Sequence, residues 1–291
     1  MVLPNFIIAG AQKSGTSSLF TILNQHPDIF LPDIKETHFF DNDEFYNKGL
    51  GWYEKTFFKG YNGEKAVGDN TPGYMFKPGV AERIARDLGT DIKLVFILRN
   101  PADRMFSFYE MQAKNQVIPN KQSFEQTLKD ELKKKGNIEP ANSMVLPSLY
   151  GKHIKDYAKF FPLKNMHFII FETEFIQRRN KTIKDLLKFL NVKELELNTD
   201  IRSNPNRKPK SKLIWKTWNQ PVLKKIGKTL IPNPITRRKL RHYVDKMNTK
   251  DVKKNASLTP DQKKALIQEL FYDDIKELEK LTDKDLSVWH L

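Results

Sequence analysis

The chain has 291 residues, no cysteine, 39% hydrophobic and 11% aromatic residues, and a formal net charge of +15. That size and apolar content suit one large α/β domain with appended helices, while the lack of cysteine excludes disulfides, thiolate metal sites and a cysteine nucleophile. Every uncharged stretch is shorter than the ~20 apolar residues of a membrane-spanning helix, and the opening residues lack the basic-then-apolar pattern of a secretory leader, so a cytoplasmic protein is expected.

The first predicted element is a buried strand over 5–9, carried by Phe6-Ile7-Ile8-Ala9. It runs into Gly10-Ala11-Gln12-Lys13-Ser14-Gly15-Thr16-Ser17-Ser18 and a helix over 15–25 with Leu19, Phe20, Ile22 and Leu23 on its apolar face. A strand, a glycine-bounded loop and a helix start make an anion cradle, because backbone N–H groups and the positive end of the helix dipole converge on one ligand. The Walker loop is G-x-x-x-x-G-K-[ST]. Here Gly10 and Gly15 keep that spacing, but Thr16 occupies the lysine position and the lysine has moved to Lys13. That variant suits a nucleotide phosphate without the usual triphosphate–magnesium geometry; the alternative is an ordinary strand–helix turn.

Lys35-Glu36-Thr37-His38-Phe39-Phe40-Asp41 sets a cation, a carboxylate and an imidazole beside two aromatics. A carboxylate against aromatic walls is desolvated and can serve as a base near neutral pH, although lone acids are more often surface residues. A strand over 66–68, a helix over 79–88 and a strong strand over 93–98 come next. The last leads into Leu98-Arg99-Asn100-Pro101-Ala102-Asp103-Arg104 and a helix over 101–115 that carries Ser107. Ligands of open α/β sheets sit at the carboxyl ends of strands, so Arg99 and Ser107 are candidates for a second phosphate. For Arg99 the alternative is a structural ion pair, and for Arg104 that reading is preferred.

Helices over 123–135 and 148–160, a strand over 166–171 and a helix over 181–190 complete the alternation. Leu94-Val95-Phe96-Ile97-Leu98 and Phe168-Ile169-Ile170-Phe171 are the continuous apolar runs of parallel strands buried on both faces. The fold class is therefore α/β, a P-loop-like parallel sheet flanked by helices with a largely helical C-terminal part. Residues 1–291 read as a single domain, with 1–200 as the α/β core and 201–291 as a basic helical subregion.

Residues 204–210 read as a basic loop, 211–230 as a helix with Trp215 and Trp218 on its apolar stripe and a break at Pro221, and 231–234 as a linker. Thr259 is the N-cap, with Pro260 near the first position, of a helix running to about residue 280. Residues 202–254 hold 17 Lys/Arg against two acids, which equals the net charge of the whole chain. Such a segment attracts anionic ligands if it faces a cleft, or simply solubilises the surface. The tryptophan stripe, with Lys216, Lys224, Lys225 and Lys228, suits a membrane surface or, preferably, packing on the sheet domain.

Gln12-Lys13-Ser14-Gly15-Thr16-Ser17-Ser18-Leu19 resembles the 5′-phosphosulfate loop of sulfotransferases that use 3′-phosphoadenosine 5′-phosphosulfate (PAPS), and Ile97-Leu98-Arg99-Asn100-Pro101 through Ser107 resembles their 3′-phosphate motif. Lys35 through Asp41, Gly49-Leu50-Gly51-Trp52-Tyr53, Thr71-Pro72-Gly73-Tyr74, Ser148-Leu149-Tyr150 through Phe160-Phe161-Pro162, and Asp285 through Trp289 are similar to the heparan-sulfate-type branch and its bacterial relatives. The resemblance implies sulfuryl transfer from PAPS to a hydroxyl or amine of a carbohydrate or small metabolite, releasing adenosine 3′,5′-bisphosphate (PAP), with no metal. It implies Lys13 as the leaving-group lysine, Glu36 as the base and His38 as the runner-up. It also implies donor contacts from Ser14, Gly15, Thr16, Ser17, Ser18, Arg99, Ser107 and Tyr150. Lys35, Glu36, His38, Asp69 and Tyr74 are then the acceptor side.

This chain departs from that pattern in three ways. Asn70 stands where glycan enzymes usually carry a second lysine, leaving Lys35 or Lys77 to replace it. The membrane anchor and disulfide of vertebrate relatives have no counterpart. The C-terminal phosphate loop has no clean copy, and Arg207, Lys208 and Lys210 are its nearest candidates. A P-loop ATP-dependent kinase and a basic nucleic-acid-binding protein are the rival readings. Thr16 in the lysine position argues against the first, and the lack of an aromatic-rich recognition motif argues against the second, so no nucleic-acid partner is expected.

Overall fold

The computed structural model describes residues 1–115, 117–118, 122–134, 137–201, 207–209, 249–251 and 257–290, with isolated positions between 236 and 247. They form two compact units: residues 1–201 together with 257–291, and residues 202–256. The sequence subregion 201–291 is thus divided, its last helices belonging with the sheet.

The first unit is built on Phe6–Gly10 (β1), Ile29–Phe30 (β2), Ala66–Asn70 (β3), Lys93–Leu98 (β4) and Met166–Ile170 (β5). The five strands are parallel, in the order β2-β3-β1-β4-β5. Every residue of β1 and β3 is buried, as strands covered on both faces require. After β1 the chain goes to one side for β2 and β3, then crosses to β4 on the other. The carboxyl end of β1 is therefore the switch point at which such sheets open a crevice.

Parallel register sets the two faces. Phe6, Ile8, Val95, Ile97 and Ile169 pack with Leu19, Ile22 and Leu23 of Thr16–Leu23 (α1) and with Ile183, Leu186 and Leu187 of Arg179–Phe189 (α8). Ile8 is paired with Asn70, so Asn70 shares the α1 face while Asp69 points to the other. Between β2 and β4 lie Asp43–Tyr46 (α2), Gly49–Phe57 (α3) and Val80–Leu88 (α4), followed after β4 by Pro101–Lys114 (α5), Phe124–Lys133 (α6) and Tyr150–Ala158 (α7). Phe96 of β4 meets Tyr157 of α7 edge-on at 5.4 Å.

The C-terminal helices return to this core. Thr259 and Gln262 form a capping box for Pro260–Leu266 (α9), which continues through a π-helical segment, Ile267–Phe271, into Tyr272–Thr282 (α10). Asp274 accepts from the Gly151 and Lys152 N–H groups at the start of α7, at 2.9 and 2.8 Å. A Cβ on Gly151 would lie 2.4 Å from the Asp274 carbonyl oxygen, so glycine permits this approach. Trp289 is fully buried. Among the described residues no helix is long and apolar enough to cross a membrane.

The strand predicted over 66–68 extends to Asn70. Two-residue β2, the short α2 and α3 carry too little periodicity to be predicted, and the two glycines of α3 count against a helix. Phe171, predicted as strand, opens a π-helical turn over Phe171–Ile176. In the second unit, Arg207–Pro209 (β6) pairs antiparallel with Thr249–Asp251 (β7); a loop was expected at 204–210, because a basic, proline-flanked tripeptide has no strand pattern. The helix expected over 211–230, with Trp215, Trp218 and Pro221, and the linker 231–234 lie outside the described residues.

Candidate active site

The loop after β1 carries Lys13 in left-handed backbone, φ 72°, and Gly15 at φ 103°. A Cβ on Gly15 would stand 3.0 Å from the Phe171 ring, so both conformation and space demand glycine. Thr16 is buried at the first position of α1, and Ser17 and Ser18 follow in the first turn. α1 has no side-chain N-cap, which leaves its first N–H groups facing the loop. Lys13 is half-buried, and its ammonium is held down to about pKa 8 by burial first, then by the like charges of Arg99 and Lys114.

The loop after β4 lies alongside. Arg99 Nη1 donates to the Lys13 carbonyl at 3.4 Å, and its guanidinium sits 5.3 Å from the centre of the Phe171 ring. Asn100 caps α5, its Oδ1 accepting from Ala102 and Asp103 N–H. Ser107 is half-buried on α5, spaced three and seven residues before Glu110 and Lys114, whose charges act on Lys13. That helical spacing puts Ser107 on the face turned to the cradle. Tyr150 is buried, donates to the Arg99 carbonyl at 3.0 Å and is pushed up to about pKa 12 by burial. Arg104 is fully buried and held by Ser148 Oγ and the Met144 carbonyl, so its role is structural through hydrogen bonds and not through the ion pair expected.

These loops present a cation pair with unmet polar capacity. Ser14 Oγ is buried without a hydrogen bond of normal geometry, although it is near enough to ease the Tyr150 hydroxyl downward. Gln12 Oε1 is likewise buried and unpartnered. Orphaned polar atoms at a helix start, next to two cations, fit a bound phosphate.

The third loop brings the carboxylate. Glu36 and His38 both have left-handed backbone, φ 64° and 55°, and the Glu36 N–H donates to the Asn70 carbonyl at 3.0 Å. Lys35 Nζ donates to Ser17 Oγ and lies 3.5 Å from Glu36 Oε1, so it links this loop to the anion cradle. Lys77 instead pairs with Glu139 at 3.8 Å. Of the two replacements for a second lysine, Lys35 is the one at the cradle. Asn70 is buried and both of its amide atoms lack partners.

Asp69 and Tyr74 require correction. Both are fully buried, and Asp69 accepts from Thr37, Tyr53, Thr71 and Tyr74 hydroxyls at 2.6, 2.6, 2.7 and 3.0 Å. Burial raises the Asp69 carboxyl although all four bonds pull it down. Tyr74 also accepts from the Phe39 and Phe40 N–H groups. With every bonding position used inside the protein, the pair braces the 37–40 turn and does not meet an acceptor. Sequence reasoning also gave no role to Asp41, whose i,i+3 spacing from His38 was the available signal, nor to Glu172. Arg207 and Lys208 lie in β6 of the second unit, and Lys210 lies outside the described residues.

A family model described as Sulfotransferase domain matches residues 3–266. Human heparan sulfate glucosamine 3-O-sulfotransferase 5 is 34% identical over 169 residues, covering 57% of this chain and 47% of that protein. The membrane-associated sulfotransferase kil1 of Dictyostelium discoideum is 34% identical over 137 residues, covering 45% and 28%. The crystal structure of a sulfotransferase from Alicyclobacillus acidocaldarius matches over 100% of both chains, with TM-score 0.71 and 28% identity. The chain spans about half the length of the human relative. The chain belongs to the sulfotransferase domain family.

Proposed function

We propose that the protein moves a sulfuryl group from PAPS to a hydroxyl or amine of a carbohydrate or small-metabolite acceptor, releasing PAP. The observation that carries this reading is the pairing of two phosphate loops on adjacent parallel strands, with Arg99 bonded to the backbone of Lys13. One cation serves each phosphate, and the 3′-phosphate is what separates this donor from ATP. The names of the heparan sulfate relatives support a carbohydrate hydroxyl as acceptor.

The donor supplies the sulfuryl group and a bisphosphate leaving group. Lys13, Ser14, the N–H groups of Gly15 to Ser17 and the Ser18 side chain would hold the 5′ end, and Arg99 and Ser107 the 3′-phosphate. Lys13 keeps its proton at neutral pH yet is poorly solvated, so its charge acts at full strength on negative charge developing on the leaving oxygen. Glu36 accepts the acceptor's proton. His38 Nε2 lies 3.6 Å from Glu36 Oε2 and Nδ1 lies 2.9 Å from Asp41 Oδ2, an arrangement that orients the imidazole and steadies the carboxylate.

Calorimetric titration with PAP, with ATP–magnesium as the control, tests the reading. The expected result is metal-independent PAP binding that Arg99→Ala abolishes; binding of ATP–magnesium but not PAP would transfer the site to a kinase.

A further inference from the structure

The Arg99–Asn100 dipeptide is gripped from two points far away in sequence. At the end of β5 the chain turns at Phe171–Glu172. One carboxylate oxygen of Glu172 accepts from the Asn100 N–H at 2.9 Å, and the other accepts from the Trp289 indole N–H at 2.9 Å. Asn100 Nδ2 in turn reaches the Trp289 carbonyl at 3.4 Å. Trp289 is fully buried two residues from the chain end, its ring 6.0 Å from that of Tyr150, and Tyr150 is the residue that holds the Arg99 carbonyl.

Glu172 is committed to N–H donors. Among the described residues Arg99 makes no ion pair with it or with any other carboxylate, so its guanidinium charge is left for an anion. A carboxylate so close to a phosphate-binding arginine would ordinarily compete for it. Here the indole and the Asn100 amide take up the carboxylate instead.

We infer that Glu172 and Trp289 are positioning residues that clasp the Arg99 loop and thereby set selectivity for the 3′-phosphate of the donor. The inference rests on the PAPS reading. The clasp lets the last turn of the chain fix a loop some 190 positions earlier in sequence without touching the ligand.

The test compares PAP with adenosine 5′-monophosphate, which lacks the 3′-phosphate, by calorimetry on the full chain. Trp289→Phe keeps the ring but removes the N–H. Glu172→Gln keeps the shape but turns one amide N–H₂ toward a neighbouring N–H donor. Both variants should lose about tenfold in the ratio of PAP to monophosphate affinity, the size of one charge-assisted hydrogen bond misplaced. General loosening of the fold weakens both ligands alike and leaves the ratio unchanged, and that result in either variant would overturn the inference. If the unmodified protein itself does not prefer PAP, the PAPS reading has failed; if it does and the variants match it, only the clasp has failed.

Discussion

His38 presents Nδ1 to Asp41 at 2.9 Å, with Asp41 taking the hydrogen bond on both carboxylate oxygens. This contact fixes which ring nitrogen faces Glu36, with Nε2 3.6 Å from Glu36 Oε2. Glu36→Gln is expected to lower kcat by about 10²- to 10⁴-fold, the range of a lost general base, with the affinity for PAP unchanged. His38→Asn should lower it less, since Glu36 would remain. Sulfate transfer from labelled PAPS to an acceptor panel measures both, and a larger loss in the histidine variant would make His38 the base.

Lys13 gives a pH dependence with a defined sign. Its proton leaves near pH 8, so PAP affinity should be flat below that value and fall as pH rises above it, by up to about tenfold per unit. Lys13→Met should remove the break along with most of the affinity. Titrations between pH 6.5 and 9.5 decide this.

The same lysine carries a stability prediction. A folded-state pKa below the ordinary 10.5 means that the charged form costs stability. The cost is complete below pH 8 and is relieved as pH climbs toward the unfolded value. Ligand-free Lys13→Met should therefore melt higher than the unmodified protein at pH 7, as removal of strained site residues often does. A lower Tm would show that Lys13 is compensated in the empty cradle.

Gly15→Ala should abolish PAP binding. The new Cβ meets the Phe171 ring at 3.0 Å and the backbone sits at φ 103°, so the loop must shift away from the position that aims its N–H groups. Retained affinity would mean that Phe171 yields.

Asp69→Ala leaves four buried hydroxyls without their shared acceptor. We expect a loss of about 3 kcal/mol or more in urea denaturation, the scale of a broken buried network. Thr37→Val, which removes one donor, should cost about 1 kcal/mol.

The sequence by itself determined four of the five parallel strands, the glycine-bounded loop after β1, the Arg99 loop after β4 and the acidic turn. Apolar runs such as 94–98 read as strands buried on both faces, and a glycine-bounded loop between a strand and a helix suits an anion as well as an ordinary turn. Local chemistry singled out Lys13, Arg99 and Glu36, and the structure brings Arg99 to the backbone of Lys13. Only tertiary structure decided which of the candidate residues are tied up inside the fold, because that depends on burial and on partners distant in sequence. Asp69 reads as an acceptor-side residue until four hydroxyls from three segments surround it. Lys35 and Lys77 are equivalent as text, but one reaches Ser17 and the other pairs with Glu139. Glu172 carries no motif and Trp289 only the resemblance of the 285–289 segment, and their contact with Asn100 exists because the chain end packs back against the sheet.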